Sequence, residues 1–418
     1  MRIDMPYNNN TIEIDINKKN IIDIVKQDKV TGLKNPVNEI ITSLKSPIAA
    51  NSLKKMVLTE SPKNVVIVIN DITRPTPYKI ILPPLLEVLE NSGIKQKEIT
   101  LLIATGIHRP NTREENIKSF GRNVVNNYRI VNHDPDNNLK EIGVLSDGKS
   151  LKINKLAAES DFLITTGQIN LHYFAGYSGG RKSILPGIAS RSLITSNHAR
   201  MNEPGCHSGS VTKNPIHSIM LEAALMANVR FSLNVITNDN KEILSVFYGD
   251  IKKAWEEGVG FCKKISTHVI DRKADVVIAS AGGFPKDINL YQAQKALEHA
   301  SIATKAGGFI VLFAACLEGY GEPKFKEWMD HSQNWQDIFD MFDQKFELGG
   351  HKAFALARAL HDKTVLIITE LTKEITCNCY FQKVDGFNEA LETINKKLTD
   401  WNCYVMPQAS SVLPVIGG

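Results

Sequence analysis

Four short strings hold side chains that can do chemistry at neutral pH: Asp71-Ile72-Thr73-Arg74, Thr105-Gly106-Ile107-His108, Gln168-Ile169-Asn170-Leu171-His172 and Ser178-Gly179-Gly180-Arg181-Lys182-Ser183. Arginine grips a carboxylate with two parallel hydrogen bonds. An imidazole with a pKa of about 6.5 both takes and returns a proton near neutrality. Together these groups describe a site that holds an anionic small molecule, a hydroxy or keto acid, between two imidazoles. Lys182 adds a further possibility, because a lysine amine bonds to a carbonyl or acyl carbon once burial or a neighbouring cation lowers its pKa, and Arg181 stands beside it.

Each residue also has a plainer reading. An isolated Asp-x-x-Arg is about twice as often a turn closed by a local ion pair as a binding site. A lone His108 or His172 is more often structural than catalytic. Two histidines, each within six residues of an apolar run, shift the balance toward a site. The loop Gly176 to Ser183 is similar to a phosphate-binding loop but fails the P-loop pattern, since Arg181 stands where the glycine before the lysine is required. A Walker-type ATPase is therefore disfavoured, while other nucleotide binding and a purely structural glycine-rich turn both stay open. Asn197-His198 follows in a polar stretch, where one imidazole does not by itself support a metal. His133 reads as a turn residue, and His207, His217, His268, His299, His331 and His361 as structural or solvated.

The elements that must position these side chains are short β-branched runs: Val65 to Ile69, Ile99 to Ala104, Phe162 to Thr166, Val276 to Ser280, Phe309 to Phe313 and Thr364 to Thr369. They read as strands buried on both faces. Helix-length segments such as Pro83 to Asn91 and Asn214 to Ala227 alternate with them, which predicts an α/β fold with mainly parallel sheets flanked by helices. In such sheets ligands bind at the carboxyl ends of strands, where Asp71, Arg74, His108 and His172 fall. The segment Asp250 to Lys273 reads as helical and then polar, and the domain boundary is drawn there: an N-terminal domain 1–270, a smaller C-terminal domain 271–399, and a tail 400–418 that folds back on the first. Asp287 is expected to cap a helix through Leu297, on which Tyr291 and Lys295 share a face.

The 49 basic and 45 acidic residues leave a formal net charge of +4 and are interspersed, so neither nucleic acid nor a membrane surface is an expected partner. Behind Met1-Arg2-Ile3-Asp4-Met5-Pro6 there is no apolar leader, and no stretch approaches the roughly 20 apolar residues of a spanning helix. The expected location is the cytoplasm, with six free thiols; Cys377 and Cys379 sit in an alternating run that reads as a strand.

With these segments read, the chain resembles the lactate racemase family, nickel-dependent 2-hydroxyacid racemases and epimerases, over nearly its whole length. The strings that carry the resemblance are Asn70-Asp71-Ile72-Thr73-Arg74-Pro75, Ala104-Thr105-Gly106-Ile107-His108-Arg109-Pro110, His172-Tyr173-Phe174-Ala175-Gly176-Tyr177-Ser178-Gly179-Gly180-Arg181-Lys182, Asn197-His198-Ala199-Arg200-Met201 and Asn289-Leu290-Tyr291-Gln292-Ala293-Gln294-Lys295. The resemblance implies two α/β domains with the active site in the cleft between them. It implies a nickel pincer nucleotide tethered to Lys182 through a thioamide and bordered by Thr105, Gly106, Gly179 and Gly180, with His198 as the protein ligand of nickel. It implies His108 and His172 as the paired acid/base residues. Arg74 and Lys295 would hold the substrate carboxylate, Tyr291 and Gln292 would lie beside it, and Asp71 would orient the site. The implied reaction passes hydride from the substrate Cα to the pyridinium ring and back to the other face of a keto acid, which avoids an unstable carbanion. Separate cofactor-making enzymes are the implied partners.

Where the resemblance implies a tryptophan against the substrate, this chain has Gly349-Gly350-His351-Lys352 and then Phe354. That more polar wall suits a larger or doubly charged acid such as malate, a 2-hydroxyglutarate or a sugar acid as well as lactate. Two rival readings come from other classes. An NAD-dependent hydroxyacid dehydrogenase would use similar Arg and His residues, but no G-x-G-x-x-G opens a helix after an early strand. A non-catalytic carboxylate-binding protein leaves the two histidines without a reason.

Overall fold

The computed structural model describes residues 1–28, 30–238 and 240–417. The chain divides into two compact units, Lys29–Lys264 and Met1–Asp28 with Ile265–Gly418. In chain order the main strands are β1 (Ile21–Ile24), β2 (Val65–Asn70), β3 (Ile99–Ala104), β4 (Arg129–Asn132), β5 (Phe162–Gln168), β6 (Val229–Thr237), β7 (Ile243–Gly249), β8 (Ala274–Ser280), β9 (Thr304–Phe313), β10 (Thr364–Ile368), β11 (Phe381–Lys383) and β12 (Cys403–Met406). The helices used below are α1 (Tyr78–Asn91), α2 (Arg191–Ala199), α3 (Pro215–Met226), α4 (Leu290–Ala303) and α5 (His351–Leu360).

In the unit Lys29–Lys264 the sheet order is β7-β6-β5-β2-β3-β4, parallel except for the β6–β7 pair. The first strand, β2, lies in the middle: the chain builds outward through β3 and β4, then returns to the other side of β2 for β5 and β6. The point of reversal lies between β2 and β5, where an open parallel sheet leaves a crevice at its carboxyl edge. Val65, Val66, Ile67, Val68 and Ile69 are all fully buried, which is why a continuous β-branched run forms this central strand. Helix α1 packs Tyr78, Ile81, Leu82, Leu85, Leu86 and Leu89 into the same core, a stripe at helical spacing. Its first residue also ties strand ends together, because the Tyr78 hydroxyl accepts from the Asn70 amide at 2.6 Å and lies 3.1 Å from Thr166 Oγ1 of β5.

The other unit holds a six-stranded, all-parallel sheet of order β11-β10-β9-β8-β12-β1. This corrects the expected boundaries at both ends of the chain. The tail does not return to the Lys29–Lys264 sheet, because β12 pairs with β8 in register from Val276↔Cys403 to Ala279↔Met406. The first residues also belong here, since β1 pairs with β12 and Asn20 Nδ2 donates to the Trp401 carbonyl at 2.8 Å. Two local expectations change as well. Asp287 caps no helix: its buried carboxylate accepts from the Asn8 and Ala315 amides, and Asn289 caps α4 by accepting from Gln292 N at 3.1 Å. Cys377 lies in a short helix, Lys373–Asn378, whose start is fixed by Thr372 accepting from Ile375 N, and Cys379 follows at its end. All six cysteines are free thiols. Among the described residues no helix is long and apolar enough to cross a membrane.

Candidate active site

The loops that leave β2, β3 and β5 bring all four chemical strings to one edge of the sheet. Asp71 opens the turn after β2, which closes with Arg74 N donating to the Asp71 carbonyl at 3.2 Å. His108 follows β3 through a turn in which Gly106 has φ +55° and His108 N donates to Thr105 O at 2.9 Å. Across the two turns, His108 Nδ1 lies 2.7 Å from Asp71 Oδ2, while Thr73 Oγ1 donates to Asp71 Oδ1 at 2.7 Å. Burial of Asp71 would push its carboxyl up, but the hydrogen bond and charge of His108, then Arg74 and Thr73, outweigh it and hold the group below the usual carboxylate range. An ionised Asp71 places the imidazole proton on Nδ1 and leaves Nε2 as the base. Arg74 is exposed, makes no ion pair with a described residue, and lies near enough for its charge to act on both Asp71 and Lys182.

Beyond β5 the chain makes the short pairing Leu171–His172 with Gly176–Tyr177 and enters a 3₁₀ turn, Gly180–Ser183. Lys182 Nζ lies 3.1 Å from His172 Nε2 and 5.5 Å from the centroid of Phe174. The Ala175 amide donates to His172 Nδ1 at 3.3 Å, so the neutral ring carries its proton on Nε2 and gives it to the lysine. That arrangement needs an uncharged amine. Burial first, then the charges of Arg74 and Arg181, drive the Lys182 pKa well below its ordinary value. The smallest of these contributions comes from Arg181, 1% exposed, whose guanidinium stacks 3.9 Å over Trp255 and donates through Nη2 to the Ala175 and Tyr177 carbonyls. Its Nε and Nη1 have no hydrogen-bond partner among the described residues, and burial pushes the group down to about 9.

The glycines of this loop answer to close packing. A Cβ on Gly179 would sit 2.8 Å from Asn234 Oδ1, and one on Gly180 2.8 Å from Trp255 Cδ1. Gly180 N donates to Asn234 Oδ1 at 2.8 Å, Gly106 N to Gly187 O at 3.0 Å, and Thr105 Oγ1 to His133 O at 2.8 Å. The amides of Gly180 and Gly106 and the Thr105 hydroxyl thus donate inside the chain. His133, expected in a turn, is instead buried: Nε2 bonds Ala189 O at 2.9 Å and Nδ1 accepts from Asn154 Nδ2 at 3.2 Å.

His198 stands on the last turn of α2, packed edge-on against Phe174 with ring centroids 5.0 Å apart. Nδ1 bonds Ile194 O at 2.9 Å, which leaves the lone pair on Nε2, and burial above all pushes its pKa down to about 3. A neutral imidazole with its second nitrogen oriented by a carbonyl is the form in which histidine binds a metal. Among the described residues no group of three or more His, Cys, Asp or Glu converges on one point, so His198 would supply one ligand and a bound group the others. Beside it, both amide atoms of the 1%-exposed Asn197 lack a partner.

In the other unit, α4 carries the remaining expected residues. Lys295 Nζ donates to Gln292 Oε1 at 3.1 Å, Tyr291 packs against Phe325, and the buried Lys352 of α5 places Nζ 4.8 Å from the Tyr291 ring centroid and 2.9 Å from Gln294 Oε1. Sequence reasoning passed over Asn234, Trp255 and Asn111, because their partners lie in other loops and no local pattern marks them.

The chain matches the family models for the lactate racemase N-terminal domain over residues 7–209 and the lactate racemase C-terminal domain over residues 269–414. It is 36% identical over 424 residues to the lactate racemase of Thermoanaerobacterium thermosaccharolyticum, an alignment spanning 98% of each chain. The lactate racemase of Lactiplantibacillus plantarum is 36% identical over 408 residues, spanning 93% of this chain and 94% of that one. Among solved structures, the lactate racemase apoprotein from T. thermosaccharolyticum aligns with a TM-score of 0.93 at 34% identity, over 99% of this chain and 100% of that one. A Thermotoga maritima protein shares the fold, with a TM-score of 0.67 at 20% identity over 92% of this chain and 99% of that one.

Proposed function

The chain belongs to the lactate racemase family, and from that premise we propose that it interconverts the D and L forms of a 2-hydroxy acid, lactate foremost, with a nickel pincer nucleotide tethered to Lys182. The observation that carries the reading is the pair of imidazoles beyond the ends of β3 and β5, the two strands that flank β2, one held on a buried carboxylate and the other 3.1 Å from the Lys182 amine. Racemisation needs a proton-exchanging group for each face of the substrate, and two differently held histidines supply them.

The residues fit the cofactor. An uncharged Lys182 amine is the nucleophile that a thioamide tether requires, and His198 Nε2 is the donor that nickel would take from the chain. When bound, that group supplies the hydride acceptor and donor. The chain's own part is positional and electrostatic. Arg74 offers its guanidinium to the substrate carboxylate. His108 Nε2 takes the hydroxyl proton while Asp71 stabilises the imidazolium that forms, and His172 Nε2 is the second proton-exchanging atom. Lys295, Tyr291 and Gln292 are proposed to complete carboxylate recognition. A dehydrogenase with a freely exchanging dinucleotide is disfavoured, because the turn after the first strand, Asn70 to Arg74, lacks the glycines that let a pyrophosphate approach the backbone.

A second reading concerns the substrate alone. Where the resemblance implies a tryptophan, the polar pair His351 and Lys352 favours a side chain carrying a second anionic group, such as that of malate. Protein produced together with cofactor-making enzymes should racemise either enantiomer of lactate, followed by chiral chromatography, and His108→Ala and His172→Ala should each abolish it. Full turnover in both variants would remove the histidines from the mechanism. Malate racemised faster than lactate would establish the second reading.

A further inference from the structure

We propose that Asn111 is a positioning residue that sets the Asp71–His108 pair by tying the turn that carries the carboxylate to the loop that carries the imidazole. The inference rests on the reading of His108 as a proton-exchanging group. The two partners sit on loops beyond the last paired residues of their strands, Asn70↔Ala104, so no ladder hydrogen bond sets their spacing. Asn111 supplies that link. Its Oδ1 accepts from Ile72 N at 3.1 Å, the amide that directly follows Asp71. Its Nδ2 donates to Asn116 Oδ1 at 3.1 Å.

The grip is anchored in the sheet. Asn132 ends β4 and pairs with Ile103 of β3, and its side chain holds the Asn111 backbone on both sides: Asn111 N donates to Asn132 Oδ1 at 2.9 Å, and Asn132 Nδ2 donates to Asn111 O at 3.2 Å. The path runs from β4 to Asn111 to the peptide after Asp71, and it crosses the same two loops as the 2.7 Å carboxylate–imidazole bond. Asparagine suits position 111 because one side chain must accept on one side and donate on the other. At 6% exposure, water does not readily replace it. A loop shift well under an ångström is enough to spoil a bond this short, and misplacements of that order cost an enzyme about 10-fold to 100-fold in rate.

The test compares Asn111→Ala with Asn116→Ala in the full chain. The second variant cuts the same network on the side away from Asp71 and so controls for lost packing. Long-range 1H–15N spectra of protein labelled at histidine show which ring nitrogen of His108 carries the proton, and the cofactor-loaded enzyme gives kcat and KM. Wild type and N116A should show the proton on Nδ1. N111A should show a mixture of tautomers, with kcat down about 10-fold and KM within about two-fold. Asn132→Ala, which touches neither Asp71 nor His108, should move both readouts the same way by less, and carries the test alone if N111A does not fold. An unchanged His108 tautomer in folded N111A, or equal effects of N111A and N116A, would overturn the proposal. A tautomer change in N111A, together with a cofactor-loaded wild type that racemises no hydroxy acid, would sink the functional reading and leave the positioning role standing.

Discussion

Replacing Asp71 with Asn keeps the side chain's size and removes its charge, so it isolates what the carboxylate does for His108. Asp71 is buried, and Oδ2 lies 2.7 Å from His108 Nδ1. A hydrogen bond to a charged partner contributes about 1.5–3 kcal/mol and a neutral one about 0.5–1.5, so an amide oxygen in the same place forfeits about 1–2 kcal/mol of imidazolium stabilisation. That corresponds to roughly 5- to 30-fold lower kcat. Should the amide nitrogen face the ring instead, the imidazole proton moves to Nε2 and the base is lost, so this range is a lower bound. Charge removal also has a pH signature. The folded-state pKa of Asp71 lies below its ordinary value of 3.8, so the ionised carboxylate stabilises the fold above that value, and this contribution is lost as pH falls through the folded pKa. D71N should therefore be less stable than wild type at pH 7, by a margin that narrows below about pH 4. The assay is racemisation at saturating substrate with matched cofactor loading, beside urea unfolding at the two pH values. A kcat within about two-fold of wild type would refute the assigned coupling between carboxylate and imidazole.

Three further outcomes are expected. Lys182→Ala should show no covalent adduct by intact-mass measurement when made alongside the cofactor-synthesis enzymes, and an adduct retained on that variant would end the tether assignment. His198→Ala should lower the nickel bound per chain, measured by elemental analysis, and unchanged metal content would remove it as a ligand. His133 is held neutral with its pKa pushed from 6.5 to about 4, chiefly by burial, so its contribution is fully present above pH 6.5 and is lost as pH falls toward 4. From pH 7 to 5 this amounts to about 2 kcal/mol, and the pH dependence of unfolding should be shallower by that amount in His133→Gln; equal slopes would show that the histidine is not buried neutral.

The strands were legible because runs such as Val65 to Ile69 are buried on both faces, and a central parallel strand suits five consecutive β-branched residues. The place of Asp71, Arg74, His108 and His172 was legible too, because each follows such a run closely in the chain and stands beyond the end of its strand. Strand order was not, because nothing local in Cys403 to Met406 specifies pairing with β1, some 380 residues earlier in the chain. Hence both ends of the chain were placed in the wrong unit. Cys377 and Cys379 misled because alternation over a few residues is weaker than one cap, and Thr372 starts a helix there. Asn111, Asn132, Asn234 and Trp255 acquire their roles from partners 20 or more residues away, as with Asn111 and Asn132 or Trp255 and Ser178.

The charges of the site explain one another. If Lys182 reacts as an amine, as proposed, a carboxylate beside it would work against it, since an ion pair would hold its proton. The chain places Arg181 there instead, buried, without an ion-pair partner among the described residues, and kept in place by Trp255 and two carbonyls rather than by an acid. The carboxylate the site does contain, Asp71, is bonded to His108 and Thr73. Arg74 is left to act on Lys182 through space and to meet an incoming anion. On the proposed function, the same surplus of positive charge would do two things: favour the uncharged, nucleophilic form of Lys182, and attract a carboxylate substrate to the two imidazoles.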